Sequence, residues 1–203
     1  MADKEFLQGA YGLDGPEATK ALYRDWAQSY EDEVLANGYA TPERCAVALA
    51  KFATNPDGPL LDIGCGTGLS GAALAKHGFS CIDGTDFSPE MLALAEKKGI
   101  YRSLTLGDVN TPLPGNYANA AAIGVFSPGH APPESLHEFL AVLQPGGCLV
   151  FSLNDHALKD AAYQGAIMNE IDGGGAELLA NDYGPHLPKI GMQCRVYVLR
   201  KRV

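Results

Sequence analysis

The chain is short of the features that mark several whole classes of protein. No stretch approaches the roughly 18 consecutive apolar residues of a membrane helix, so no membrane partner is expected. The start, Met1-Ala2-Asp3-Lys4-Glu5, is acidic and leads into no apolar core, so it does not read as a secretory signal. Cysteine is sparse and unpaired in sequence. Cys45, Cys65, Cys81, Cys148 and Cys194 form no C-x-x-C motif. That argues for reduced thiols in a cytoplasm, and against a disulfide frame or a metal site. Cys81 and Cys148 fall in expected buried strands, where cysteine acts as a small hydrophobe. Cations are also few: 15 Lys and Arg stand against 24 Asp and Glu, a formal net charge of −9. The only basic run is the terminal Arg200-Lys201-Arg202. Phosphate backbones are held by clustered cations, so nucleic acid is not expected as a partner. Internal repeats and low-complexity tracts are absent as well.

What is present is concentrated in Leu60-Leu61-Asp62-Ile63-Gly64-Cys65-Gly66-Thr67-Gly68-Leu69. A short apolar run holds an acid, three glycines follow at alternate positions, and a helix-forming segment begins. Glycine permits positive φ and removes side chains that would hold a ligand away. The following helix presents unpaired N–H groups at its start. This is a place for a nucleoside cofactor to lie against bare backbone. The spacing is tighter than the G-x-G-x-x-G dinucleotide fingerprint and leaves less room for a diphosphate.

Around this loop, strand and helix signals alternate. Strands are expected at Leu60–Ile63, Ser80–Asp86, Tyr101–Leu106, Tyr117–Gly124 and Gly147–Leu153. Helices are expected at Leu69–Lys76, Pro89–Lys97 with Ser88 as N-cap, and Glu134–Val142. Such alternation implies α/β architecture, a doubly wound, mostly parallel sheet with helices on both faces. The segments Ala176–Asp182 and Met192–Arg200 follow, joined by Tyr183–Pro188 with no helix between them, and are expected to pair as an antiparallel hairpin. That makes seven strands. Ahead of the sheet, residues 18–36 read as a helix bearing Trp26 and Tyr30. Thr41 is expected to cap a second helix, reaching to about Thr54, with Pro42 in its first turn.

Two acids complete the pattern. Asp86 ends the second strand, 18 residues after Gly68, where a carboxylate offers two acceptor oxygens to a ribose diol. Asp83 is the rival, but it falls inside the strand. Asp108, just past the third strand, suits an adenine amino group, with the Val109 N–H beside it. It also suits an ordinary Asx turn.

Together these pieces resemble the class I S-adenosylmethionine-dependent methyltransferases: Leu61-Asp62-Ile63-Gly64-Cys65-Gly66-Thr67-Gly68, Gly84-Thr85-Asp86-Phe87-Ser88, Gly107-Asp108-Val109, and Leu143-Gln144-Pro145-Gly146-Gly147. The segment Tyr23–Val34 and the ending Arg195–Lys201 are similar to the methyltransferase-like protein 27 group. The resemblance implies a Rossmann-like fold with a C-terminal antiparallel hairpin. It implies one structural domain, with residues 1–57 as tail and helical lid and 58–203 binding S-adenosylmethionine. It also implies roles for particular residues. Asp62, Gly64, Cys65, Gly66, Thr67 and Gly68 would surround the methionine end. Asp86 would hold the ribose, with Phe87 and Met91 beside it, and Asp108 with Val109 the adenine. Gly124, Val125 and Phe126 would line the sulfonium. Trp26 and Tyr30 are the lid candidates, although a Trp and Tyr four apart on an apolar stripe also suit a core.

Methyl transfer needs a base only if the acceptor must lose a proton. His130, after the fourth strand, is the candidate; it equally suits a cap for its Pro-rich loop. The Asn-Pro-Pro-Tyr signature of exocyclic and amide N-methylation is absent, as is a clear acid triad for metal-assisted catechol chemistry. A small-molecule acceptor is therefore expected, walled by residues 126–133 and by the 154–190 insertion with Tyr163, Met168, Tyr183 and His186. The rivals are a catalytically silent cofactor-binding sensor and a nicotinamide-dependent reductase. The tight glycine spacing and the closing hairpin oppose the reductase.

Overall fold

Strand β1, Leu60–Ile63, is buried at every position and lies in the interior of the sheet, third in order from one edge. A strand covered on both faces must be apolar throughout, as this one is apart from Asp62. In the computed structural model, residues 22, 26, 27, 29–107 and 112–202 are described. The further strands are β2 (Ile82–Asp86), β3 (Ser103–Leu106), β4 (Tyr117–Ala122), β5 (Leu143–Asn154), β6 (Ala176–Leu187) and β7 (Met192–Lys201). The helices are α1 (Tyr30–Ala36), α2 (Thr41–Phe52), α3 (Leu69–Lys76), α4 (Pro89–Lys97), α5 (Ser135–Ala141) and α6 (Ala161–Asp172). The sheet order is β3-β2-β1-β4-β5-β7-β6. The first five strands pair in parallel, and β7 runs antiparallel to both β5 and β6.

Alternate residues of each strand feed two cores. Leu61, Ile63, Leu149, Phe151 and Tyr197 join Leu136 and Phe139 of α5 and Tyr163 and Ile167 of α6. Leu60, Ile82, Val150 and Val198 join Cys45 and Leu49 of α2 and Leu74 of α3. Helices therefore cover both faces, as the alternation of signals implies. The strand order reverses between β1 and β4, which opens a crevice at the carboxyl ends of the strands.

Local chemistry explains most element starts. Ser88 caps α4 by accepting the Met91 N–H at 3.2 Å, with Pro89 at the first position. Thr41 does not cap α2; Ala40 holds that place. The Thr41 hydroxyl is drawn instead to His186 Nδ1 at 2.7 Å and Cys194 Sγ at 3.2 Å. The N-terminal helix is not continuous over 18–36. It turns at Ala27, and α1 starts at Tyr30 with Glu31, Asp32 and Glu33 in its first turn, where the helix dipole favours acids. Residues 18–21, 23–25 and 28 lie outside the described set.

Three further differences concern the second half and the cysteines. Strand β6 runs on to Leu187 through Pro185, in the segment expected to be a connection. It is an edge strand, where the missing proline N–H costs no ladder bond, and the register shifts there. Helix α6 lies in the insertion, where no element was expected; Asp160 caps it through the Ala162 N–H at 2.9 Å. Cys81 is only half-buried ahead of β2, and its sulfur takes an Arg102 N–H at 3.1 Å. All five cysteines are free thiols. No helix among the described residues is long and apolar enough to cross a membrane.

Candidate active site

The loop after β1 is tied to the end of β2. Cys65 donates its N–H to Thr85 O at 2.9 Å, and the Gly66 N–H donates to Asp86 Oδ2 at 2.8 Å. The other Asp86 oxygen accepts the Ser88 N–H at 2.9 Å. Asp86 is thus gripped by backbone on both sides, one bond to the glycine loop and one to the start of α4. Burial pushes its pKa up, against these N–H bonds. The rival acid, Asp83, is spent on structure: it accepts from Arg102, from Ser103 Oγ at 2.7 Å and from Tyr117 Oη at 3.0 Å.

A cavity opens above this point. Gly64, Gly66, Asp86, Phe87 and Met91 wall it on the donor side, and Gly124, Val125 and His130 on the other, with Tyr30 above. A second lobe adjoins it, lined also by Tyr39, Pro42, Cys65, Thr67, Leu69 and Ser70. Tyr30, Gly64, Gly66 and Ile123 border both lobes.

Several expected residues stand elsewhere. Phe126 is fully buried among Phe139, Phe151 and Tyr163 and lines neither lobe. Trp26 is buried with Val34 and Leu187 and packs edge-on to Tyr30, ring centroids 4.8 Å apart. It backs the residue that lines the cavity. Gly68 closes the loop as N-cap of α3 at φ +90°. Asp62 lies fully buried beneath the loop. Of the insertion residues, Tyr163 and His186 are buried, Met168 and Tyr183 exposed, and none lines either lobe. Asp108 and Val109 lie outside the described residues. Ile123, Tyr39, Pro42, Leu69 and Ser70 line the lobes without standing among the expected site residues. Ile123 had a signal, since it immediately precedes the Gly124 turn. The Tyr39 position is set by the distant β6–β7 end: Ala40 N–H bonds His186 O at 3.0 Å, and the Tyr39 ring meets the His186 ring edge-on.

The walls suit a nucleoside carrying an amino-acid arm. A Cβ built on Gly66, at φ +54°, would meet no atom within 4 Å, so the cavity there is bounded by bare backbone. Phe87 and Met91 offer apolar cover next to the carboxylate of Asp86. In the second lobe, Thr67 Oγ1 is buried without a hydrogen-bond partner among the described residues, an orphan that a polar ligand would satisfy. His130 Nδ1 stands 3.3 Å from Pro128 O and 3.2 Å from Ser127 Oγ. Burial holds its pKa below the usual histidine value, so the ring is neutral at neutral pH.

The chain is similar to known proteins. The family described as "Methyltransferase domain" matches residues 60–147. Human methyltransferase-like protein 27 is 32% identical over 174 residues, covering 82% of this chain and 69% of that protein. The chain belongs to the class I S-adenosylmethionine-dependent methyltransferases. Its fold is theirs as well. Burkholderia thailandensis 1,6-didemethyltoxoflavin-N1-methyltransferase, solved with S-adenosylhomocysteine, superposes with a TM-score of 0.63 at 20% identity, covering 95% of this chain and 92% of that one. As a member of the family, the protein is a transferase and its cofactor is S-adenosylmethionine.

One expectation falls here. A yeast (Saccharomyces cerevisiae) methyltransferase named for N7 of guanine 1575 in 18S rRNA is 40% identical over 67 residues, 33% of this chain and 24% of that protein. A methyltransferase with relatives of that kind is not barred from nucleic acid by its net charge, nor does a small-molecule acceptor follow from it. The physical reason is that net charge sums the whole surface, whereas an acceptor meets only the mouth of one cavity.

Proposed function

We propose that the two lobes hold S-adenosylmethionine, with its ribose on Asp86, its base toward Phe87 and Met91, and its amino-acid end in the lobe of Thr67 and Ser70. Asp108 and Val109 are assigned the adenine edge by their place in the sequence. The observation that carries the reading is the Asp86 carboxylate, oriented by two backbone N–H bonds beside bare Gly66 on the cavity wall. A carboxylate fixed in this way is preorganised for a vicinal diol.

When bound, the cofactor supplies a methyl group already activated by a positive sulfur. The chain's own task is to hold donor and acceptor in line and to keep water out. Tyr30, backed by Trp26, covers the cavity and is assigned the part of a lid. Gly124 and Val125 flank the acceptor's approach. A proton released by the acceptor passes to His130: with Nδ1–H donated to Pro128 O, the basic lone pair lies on Nε2. Five free thiols, four of them buried, fit a reducing compartment such as the cytoplasm.

Calorimetry with S-adenosylhomocysteine tests the reading. One site is expected, and Asp86→Ala should weaken it by about a hundredfold. Equal affinity in the variant would remove the ribose assignment. Transfer of a labelled methyl group to pools of RNA, protein and small molecules then assigns the acceptor class.

A further inference from the structure

The ring of Tyr101, in the turn between α4 and β3, lies along three glycines. A Cβ on Gly84 of β2 would stand 2.9 Å from its ring, one on Gly68 3.2 Å, and one on Gly71 of α3 would run into its hydroxyl. The ring therefore packs against a strand, the glycine loop and the first turn of a helix at once. At the end of this track the hydroxyl donates to Asp62 Oδ2 at 2.8 Å. Ser70 Oγ donates to the same oxygen at 2.6 Å. The other oxygen, Oδ1, is buried with no hydrogen-bond partner among the described residues.

A fully buried carboxylate with both donors on one oxygen is costly and calls for a reason. The groups around it do not neutralise it. Asp86 is a like charge, and the Cys45 and Cys65 thiols are held neutral by burial. Lys98 passes Gly68, but its ammonium ends on Glu31 at 2.8 Å. Ser70, which bonds Asp62, also lines the second lobe together with Thr67. A buried negative charge thus lies one side chain behind the lobe assigned to the amino-acid end of the cofactor.

We propose that Tyr101 is a positioning residue for the cofactor: its hydroxyl, with that of Ser70, keeps Asp62 oriented and anionic beneath the loop, where its charge favours ligands bearing an ammonium group. The inference rests on the cofactor pocket proposed above. Burial, with the Asp86 charge adding to it, raises the Asp62 pKa, and the two hydroxyl donors oppose the rise and leave it at about 6. Loss of the Tyr101 hydroxyl moves the protonation of Asp62 toward neutral pH and removes the charge at a pH where the wild-type chain keeps it.

The test compares S-adenosylhomocysteine with 5′-methylthioadenosine, which lacks the amino-acid arm, by calorimetry from about pH 5 to about pH 8. Tyr101→Phe should weaken the first ligand about tenfold near neutral pH and leave the second within about twofold. The acid limb of S-adenosylhomocysteine binding should move to higher pH. In an Asp62→Asn background, Tyr101→Phe should change the ratio of the two affinities no further. Equal losses for both ligands, or an unmoved acid limb, overturn the proposal. If Tyr101→Phe folds poorly, Ser70→Ala, which removes the other donor to the same oxygen, must move the limb in the same direction. A wild-type chain that binds neither ligand overturns the pocket assignment itself, a result distinct from either failure.

Discussion

Thr41 Oγ1 lies 2.7 Å from His186 Nδ1, joining residues 145 apart in the chain. The contact fastens the start of α2 to the end of β6, and Tyr39, which lines the second lobe, sits edge-on against the same imidazole. Burial lowers the His186 pKa to about 4, with Asp155 opposing and Arg44 and His156 adding to the shift. The unfolded chain therefore takes up this proton first, and the stability that neutral His186 contributes is lost as pH falls from the ordinary value through about 4. Urea melts of wild type and His186→Gln near neutral pH and near pH 4 should show the wild-type advantage shrinking by about 3 kcal/mol across that window. An advantage that does not change with pH excludes the titration.

Asp62 gives the opposite sign. Its pKa is raised by burial, so its protonated form favours folding, and stability is lost as pH rises from about 4 to about 6. Asp62→Asn removes that loss. Relative to wild type it should gain about 3 kcal/mol between those limits, read by denaturant melts, while its affinity for S-adenosylhomocysteine drops. A variant less stable than wild type at every pH, by a constant amount, contradicts this.

Gly66 separates backbone strain from cavity shape. Alanine at its φ of +54° costs about 1 kcal/mol, and the new methyl enters the cavity rather than the core. Gly66→Ala should shift melting only slightly yet weaken S-adenosylhomocysteine at least about tenfold. Gly146→Ala, also at positive φ in open space but remote from the cavity, is the control, and its affinity should match wild type.

His130 is tested by turnover once an acceptor is in hand. His130→Ala should lower kcat by about a hundredfold or more and change cofactor affinity far less. In the wild type the acid limb of the rate profile should fall below the usual histidine pKa, because burial disfavours the imidazolium. Undiminished turnover in the variant assigns the rate to positioning alone.

The parts of the fold legible in sequence are those fixed by neighbours in the chain. Leu60–Ile63 is apolar, alternate glycines follow it, and Ser88-Pro89 opens a helix; each is a local statement. The place of Asp86 at the end of β2 is legible for the same reason, since a strand end and a helix start both bear on it. Thr41 was misjudged because its hydroxyl answers to His186 and Cys194, which no local pattern reveals. Phe126 follows Gly124 and Val125, and the positive φ of +75° at Gly124 turns the chain so that Val125 meets the cavity and Phe126 the core. Pro185 reads as a breaker until it is known to lie on an edge strand. Helix α6 buries only Tyr163 and Ile167, too thin a stripe to announce itself, and Gly165 interrupts the signal.

The reversal of strand order between β1 and β4 divides the work of the chain into two consecutive tracts. Everything proposed to touch the nucleoside in the body of the sheet comes from residues 60–109, and the residues facing the acceptor come from 123 onward. The two tracts meet along the three-residue β1–β4 register, Leu60 to Asp62 against Asn119 to Ala121, and through both cores, where Leu61 and Ile63 pack with Leu149 and Phe151, and Leu60 and Ile82 with Val150 and Val198. Such a seam demands matched shapes, so a hybrid chain that joins this donor tract to a relative's acceptor tract must keep the β4 and β5 residues that complete both cores.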